Sequence, residues 1–264
     1  MTAPHYEIYA IKYAHHARRA SENFIGGDSH DGPMPLDYFV WLVREAGTDA
    51  GREIVVDTGF SAAMAAKRKR DHIRCPAAGL KLLGVDATAV KDVIITHLHY
   101  DHVGNFDLFP AALLHLQDLE MNYATGRHMT RPVFQGAFEV EDVVGMVRRV
   151  YAGRVRFHDG DGEVAPGVSV HLIGGHTMGL QVVRVRTRRG WVVLASDASH
   201  FYANMEQARP FPIVFSVADM VEGYERLRAL ADSPAHLIPG HDPLVLERYP
   251  APSKELQGII ARLD

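Results

Sequence analysis

The stretch Ile94 to Asn105 reads IITHLHYDHVGN, and His97, His99, Asp101 and His102 fall within six residues of it. In extended backbone successive side chains alternate, so His97 and His99 are expected on one side, and the turn that follows brings Asp101 and His102 to a neighbouring point. Imidazole nitrogens with a carboxylate suit zinc or a similar first-row ion. Two ligand pairs on one turn point to two cations about 3.5–4 Å apart. Such a centre needs further ligands from distant segments, and three stand in suitable contexts. His176 lies in GGHTMG, where the glycines permit a turn; Asp197 ends the run WVVLASD; His241 follows a short apolar run in LIPGHDP. All three are turn residues at strand ends, where a sheet scaffold presents its functional groups.

The elements that must position them are legible as β-rich runs bounded by turn residues. Strands are predicted over 6–14, 37–45, 53–59, 92–97, 168–174, 180–187 and 191–198. Helical spacing marks 61–73, 118–126, 138–153 and 218–232, and RTRRGW (186–191) reads as a hairpin turn. Hairpins at both ends with helices between them predict an α+β fold of mixed sheets flanked by helices, not a doubly wound parallel sheet. No fixed-period repeat is visible. A length of 264 residues fits one domain, 1–264, with a substantial core.

Composition narrows the function classes. A formal net charge of −4 leaves no basic footprint for nucleic acid. The compact basic run KRKR, Lys67 to Arg70, reads as a solvated helix face. The single cysteine, Cys75, excludes an internal disulfide framework and reads as a packing residue. No run approaches the roughly 20 apolar residues of a membrane span, and the N-terminus lacks the pattern of a signal peptide. The expectation is a cytoplasmic protein acting on a small molecule, with neither nucleic acid nor membrane as partner. His5, His30, His72, His115, His128, His158, His171 and His236 stand outside the candidate set and read as structural.

Taken together, H-x-H-x-D-H at 97–102, the GGHTMG histidine, the strand-final Asp197 and the GHDP histidine resemble the signature of the metallo-β-lactamase superfamily, and VVDTG (55–59) matches the strand that precedes the motif there. The resemblance runs from about Tyr38 to about Pro243 and is nearest to the N-acyl homoserine lactonase branch. It implies an αββα sandwich. It further implies that His97, His99 and His176 hold one metal, that Asp101, His102 and His241 hold the second, and that Asp197 bridges them. Asp57 would orient a ligand without binding metal. The implied cofactors are two divalent ions, foremost Zn2+, with Mn2+, Fe2+ or Co2+ as alternatives.

Two adjacent cations lower the pKa of a shared water, giving a hydroxide that can attack a carbonyl carbon. A lactone would then open without a serine or cysteine nucleophile, with Asp101 orienting the hydroxide or carrying its proton. In the lactonase branch a tyrosine three residues after the bridging aspartate contacts the substrate carbonyl; here His200 holds that position and Tyr202 follows two later. Either can donate to a developing oxyanion, so both join Asp101 as candidate catalytic residues. The polar, Gly-rich segment 15–35 is expected over the metal cleft, where Arg18, Arg19 or His16 would meet an anionic substrate group; a solvated loop or a homodimer contact is the other expectation. Met129, Phe134 and Phe138 in 127–138 would form another wall, or else core. Competing substrates are a thioester, a cyclic amide or a β-lactam. A di-iron redox protein is the alternative of another class, although its carboxylate replacement of a motif histidine is not found at His99.

Overall fold

The computed structural model describes residues 4–48 and 51–264. Its strands in chain order are β1 (Tyr6–His16), β2 (Leu36–Glu45), β3 (Glu53–Val56), β4 (Asp71–His72), β5 (Asp92–Ile94), β6 (Leu113–Gln117), β7 (Val155–His158), β8 (Gly162–Ala165), β9 (Val168–Leu172), β10 (Gln181–Thr187), β11 (Gly190–Ser196), β12 (Leu237–Pro239) and β13 (Ile260–Arg262). The α-helices are α1 (Ala62–Arg68), α2 (Pro76–Lys81), α3 (Tyr100–Val103), α4 (Asp118–Thr125), α5 (Pro132–Gln135), α6 (Val140–Tyr151), α7 (Tyr202–Glu206), α8 (Val217–Leu230) and α9 (Leu244–Arg248).

Period-two alternation builds the sandwich. In β1 and β2, Tyr6, Ile8, Ala10, Phe39, Trp41 and Val43 face a core shared with the second sheet, which adds Val182, Val185, Val192 and Leu194. The intervening residues Tyr9, Ile11, Tyr13, Tyr38, Val40 and Leu42 face a second core with Leu80 and Met146 from the helices. Both faces of these strands are therefore covered, which is why they read as near-continuous apolar runs. Each large side chain so buried contributes roughly 1.5–3 kcal/mol.

The first sheet has eight strands in the order β13-β1-β2-β3-β5-β6-β7, with β4 on β1; the second runs β12-β11-β10-β9-β8. Pairing is antiparallel from β13 to β3 and parallel from β3 to β7. In the second sheet only the β11–β12 pair is parallel. These are the two mixed sheets expected. The predicted hairpin closes β10 onto β11 with Thr187 opposite Gly190. α8 buries Met220, Tyr224 and Leu227 against the second sheet.

Three local expectations are corrected. The strand predicted through His97 ends at Ile94: the Thr96 N–H leaves the ladder for Asp57 Oδ1 at 2.8 Å, so His97 lies in a loop, and Asp101 and His102 ride the single turn of α3. KRKR is not one solvated face. α1 stops at Arg68, Lys69 takes a left-handed φ of 55°, and the chain turns Arg68 and Arg70 toward a cleft. Cys75 is exposed rather than packed. The parallel strand β6 went unread because His115 and Gln117 interrupt LLHLQ; both are buried and bonded, His115 to His158 and Gln117 to Gln181.

Candidate metal centre

The parallel strands of the first sheet and the β11–β12 pair of the second end at one rim of the sandwich, and the ligand-type side chains gather there. His97, His99, His176 and Asp197 present one ligand atom each within 4.8 Å of one another, as do Asp101, His102 and His241. Asp197 stands between the sets. Its Oδ2 lies 3.1 Å from His176 Nε2 and 3.8 Å from His97 Nε2; its Oδ1 lies 2.9 Å from His241 Nε2 and 3.3 Å from His102 Nε2. Asp101 Oδ2 approaches His102 Nε2 at 3.7 Å and His241 Nε2 at 3.9 Å.

The far nitrogen of four imidazoles is tied to oxygen, which fixes the ring and its tautomer. His102 Nδ1 donates to Asp57 Oδ2 at 2.7 Å, His176 Nδ1 to the Ile213 carbonyl at 2.7 Å and His241 Nδ1 to the Asp37 carbonyl at 3.0 Å. Thr96 Oγ1 gives its one proton to Asp57 Oδ2 at 2.8 Å and therefore accepts from His97 Nδ1 at 3.1 Å. Asp57 thus stands behind the centre, holding His102 and Thr96 from a backbone φ of 60°.

These residues fit cations. His97 Nε2 and His102 Nε2 are buried and have no hydrogen-bond partner among the described residues. His176 Nε2, its other nitrogen already donating, turns its lone pair onto His99 Nδ1 at 2.9 Å. Burial, then the charge of neighbouring imidazoles, holds His97 and His99 well below the ordinary imidazole value. They are neutral at pH 7, the form that ligates. Asp197 stays ionised: burial opposes this, but His200, His241 and His102 together hold its carboxyl well below the usual range.

The remaining candidates separate. His200 joins the group, with Nε2 3.0 Å from Asp197 Oδ2 and its ring stacked on Phe211 at 3.7 Å between centroids. The structure does not bring Tyr202 to it: that hydroxyl is buried in the inter-sheet core without a hydrogen-bond partner among the described residues, and the Arg248 guanidinium lies over its ring. Arg18 lines the cleft, whereas Arg19 is exposed and paired with Asp31. Phe134 lines an apolar lobe beside the centre and Phe138 packs edge-on to His99 at 4.7 Å, but Met129 does neither.

Glu120 escaped the sequence reading. Fully buried on α4, it accepts from the Leu98 N–H at 2.8 Å, Thr177 Oγ1 at 2.6 Å and the Gly179 N–H at 3.1 Å, clamping the H-x-H loop to the His176 loop. Its helix gives no local sign of that task. The His176 turn also needs its glycines: Gly175 has φ 83°, and a Cβ on Gly179 would stand 2.0 Å from the Glu120 nitrogen. A larger concavity of about 840 Å3, between 77–88 and 107–110, holds no converging ligand set.

Known proteins share this arrangement of elements. A crystal structure of a quorum-quenching N-acyl homoserine lactone lactonase superposes with a TM-score of 0.73 at 23% identity, covering 92% of this chain and 93% of that one. A dizinc quorum-quenching lactonase gives 0.68 at 16% identity, over 91% and 90%. In sequence, the N-acyl homoserine lactonase AttM of Azorhizobium caulinodans is 33% identical over 175 residues, 63% of each chain. The N-acyl homoserine lactonase AiiA of Bacillus thuringiensis subsp. kurstaki is 29% identical over 133 residues, 50% of this chain and 48% of its own. The chain thus spans less than two thirds of the length of the curated relatives it matches. The family profile covers far more, residues 34–241, and with the mixed-sheet sandwich it establishes that this chain belongs to the metallo-beta-lactamase superfamily.

Proposed function

We propose that this protein is a binuclear metal-dependent hydrolase that opens a lactone. One observation carries the proposal: each carboxylate oxygen of Asp197 faces its own imidazole set. His97, His99 and His176 would hold one cation, Asp101, His102 and His241 the other, and Asp197 both. Zinc suits this nitrogen-rich set best, with manganese, iron and cobalt as its competitors. Two such cations supply an acidified water and a Lewis-acid contact to the scissile carbonyl.

The chain's own residues do the rest. The Asp101 carboxylate is the least covered of the set, 11% exposed against 4% or less for Asp197, His102 and His241, so it can hold a proton at the cleft side. His200 commits its Nε2–H to Asp197 and is clamped by Phe211, so its part is to fix that carboxylate rather than to donate to the substrate. Water adds at the acyl carbon, the ring C–O bond breaks, the ring oxygen leaves as an alcohol, and the new acid releases one proton.

The substrate class is supported by the surroundings. A lobe of about 170 Å3 lined by Tyr123, Val133, Phe134, Pro212 and Ile213 opens beside His99 and His176 and fits an apolar acyl arm. The relatives named above as N-acyl homoserine lactonases support the same class. Metal content per chain, with pH-stat titration of a lactone panel before and after chelation, tests it. About two metals and chelator-sensitive acid release are expected. Two metals without ring opening would move the activity to thioesters, cyclic amides or β-lactams; no metal after supplementation would overturn the reading.

A further inference from the structure

The cleft of about 150 Å3 into which the candidate ligands themselves open also carries Arg18, Arg68 and Arg70 together with Tyr38 and Tyr100 on its wall. These arginines differ in what they face. Arg68 is neutralised by Glu139 at 2.6 Å and lies over the Tyr100 ring at 3.9 Å. Among the described residues Arg18 and Arg70 have only neutral acceptors. Arg18 donates to Asn23 Oδ1 at 2.8 Å and to the Glu22 carbonyl at 2.6 Å. Arg70 donates to the Arg68 carbonyl at 2.7 Å and to Tyr100 Oη at 3.3 Å. Neither has a carboxylate within ion-pair distance among the described residues, although the chain pairs Arg19, Arg44, Arg52, Arg149, Arg209, Arg226 and Arg262 in that way.

The two side chains are half-buried and come from separate segments, Arg18 from the 15–35 loop and Arg70 from the turn after α1. Their charges reinforce one another at the site. His16, beside them, is pushed down to about 4 by burial and then by Arg70 and Arg18, and is neutral at pH 7. Two partly desolvated guanidinium groups without a counter-ion are unfavourable in isolation, and the fork of each N–H set matches a carboxylate.

We propose that Arg18 and Arg70 form a carboxylate seat in the cleft, and that the substrate carries an anionic group apart from the acyl carbon under attack. This deepens the lactonase reading and rests on it for the reaction, but the seat itself is a binding property. The substrate is then an acidic lactone, held between the arginines at one end and the metal centre at the other, instead of a neutral ring with an alkyl tail alone. The sequence-based trio of Arg18, Arg19 and His16 reduces to Arg18, with Arg70 as its unforeseen partner.

The test uses the metal-loaded full chain and two lactones of one ring size, γ-butyrolactone and 5-oxotetrahydrofuran-2-carboxylate. Wild type is expected to favour the carboxylated ring in kcat/KM by at least about tenfold, the range of one charge-assisted pair. In Arg18→Gln and in Arg70→Gln that ratio should fall about tenfold, while Arg226→Gln, on a remote exposed arginine, keeps it. Calorimetry with 2-hydroxyglutarate, the ring-opened product, gives a readout independent of turnover: binding should weaken about tenfold in each cleft variant. Equal turnover of the two lactones by wild type, or equal losses on both in the variants, overturns the seat. If neither lactone opens, the lactonase reading falls, and calorimetry alone decides the seat: arginine-dependent binding supports it and arginine-independent binding overturns it.

Discussion

At the scale of single residues, the centre depends on groups that touch no metal. Asp57 holds His102 at 2.7 Å and receives two bonds from Thr96, so Asp57→Ala frees an imidazole that must point one way. Loss of such a supporting group typically lowers metal affinity about 10- to 100-fold. Competition of the zinc-loaded protein against a coloured zinc chelator should show that loss at the site His102 would help to form; unchanged affinity would mean that packing alone orients His102. Asp101→Asn tests a different role. With both metals in place it should reduce turnover by about 10²–10⁴, the range for a lost proton carrier, and wild-type turnover at full occupancy would remove Asp101 from the chemistry. The candidate ligands were legible because histidine and aspartate crowd one turn and recur at strand ends. Glu120 and Arg70 were not: an acid inside a short polar helix and an arginine inside a basic run look the same whether they point to solvent or to a buried partner.

At the scale of elements, the His176 turn must lie against α4 closely enough for Glu120 to reach it. A methyl group on Gly179 would enter the backbone of α4, where no flexible side chain can yield. Gly179→Ala should therefore destabilise the fold by about 1–3 kcal/mol, the cost of overpacking a tight contact. Gly136, with open space around it and a right-handed φ of −54°, is the control: Gly136→Ala should leave the urea midpoint near the wild-type value. Equal midpoints for the two variants would show that the turn can shift without loss. The long strands β1, β2, β10 and β11 follow from periodicity because each buries a face large enough to set its pattern, and α4, α6 and α8 carry helical spacing in the sequence. Short strands such as β7, β12 and β13 take their form from neighbours in the sheet, and no window of four residues carries that information.

At the scale of the whole molecule, folding keeps several histidines uncharged, and this sets how the protein responds to acid. His158 shows the effect outside the metal centre. It faces His115 Nδ1 at 3.1 Å, while His115 Nε2 gives its proton to Asp92 at 3.2 Å, so the chain of donors runs from His158 through His115 to Asp92. Burial, then the nearby His115 and Arg156, lowers His158 to about 4. In the unfolded chain the same ring titrates near its ordinary value of about 6.5. Between those limits the unfolded state binds a proton that the folded state refuses, so stability is full above about pH 6.5 and declines as pH falls toward 4. One such group limits the slope to about 1.4 kcal/mol per pH unit. Urea midpoints across that window should fall less steeply in His158→Gln, which keeps a donor toward His115 but cannot be protonated. Parallel curves for variant and wild type would assign the acid sensitivity elsewhere, with His16, also held near 4 beside Arg70 and Arg18, as the next group to replace.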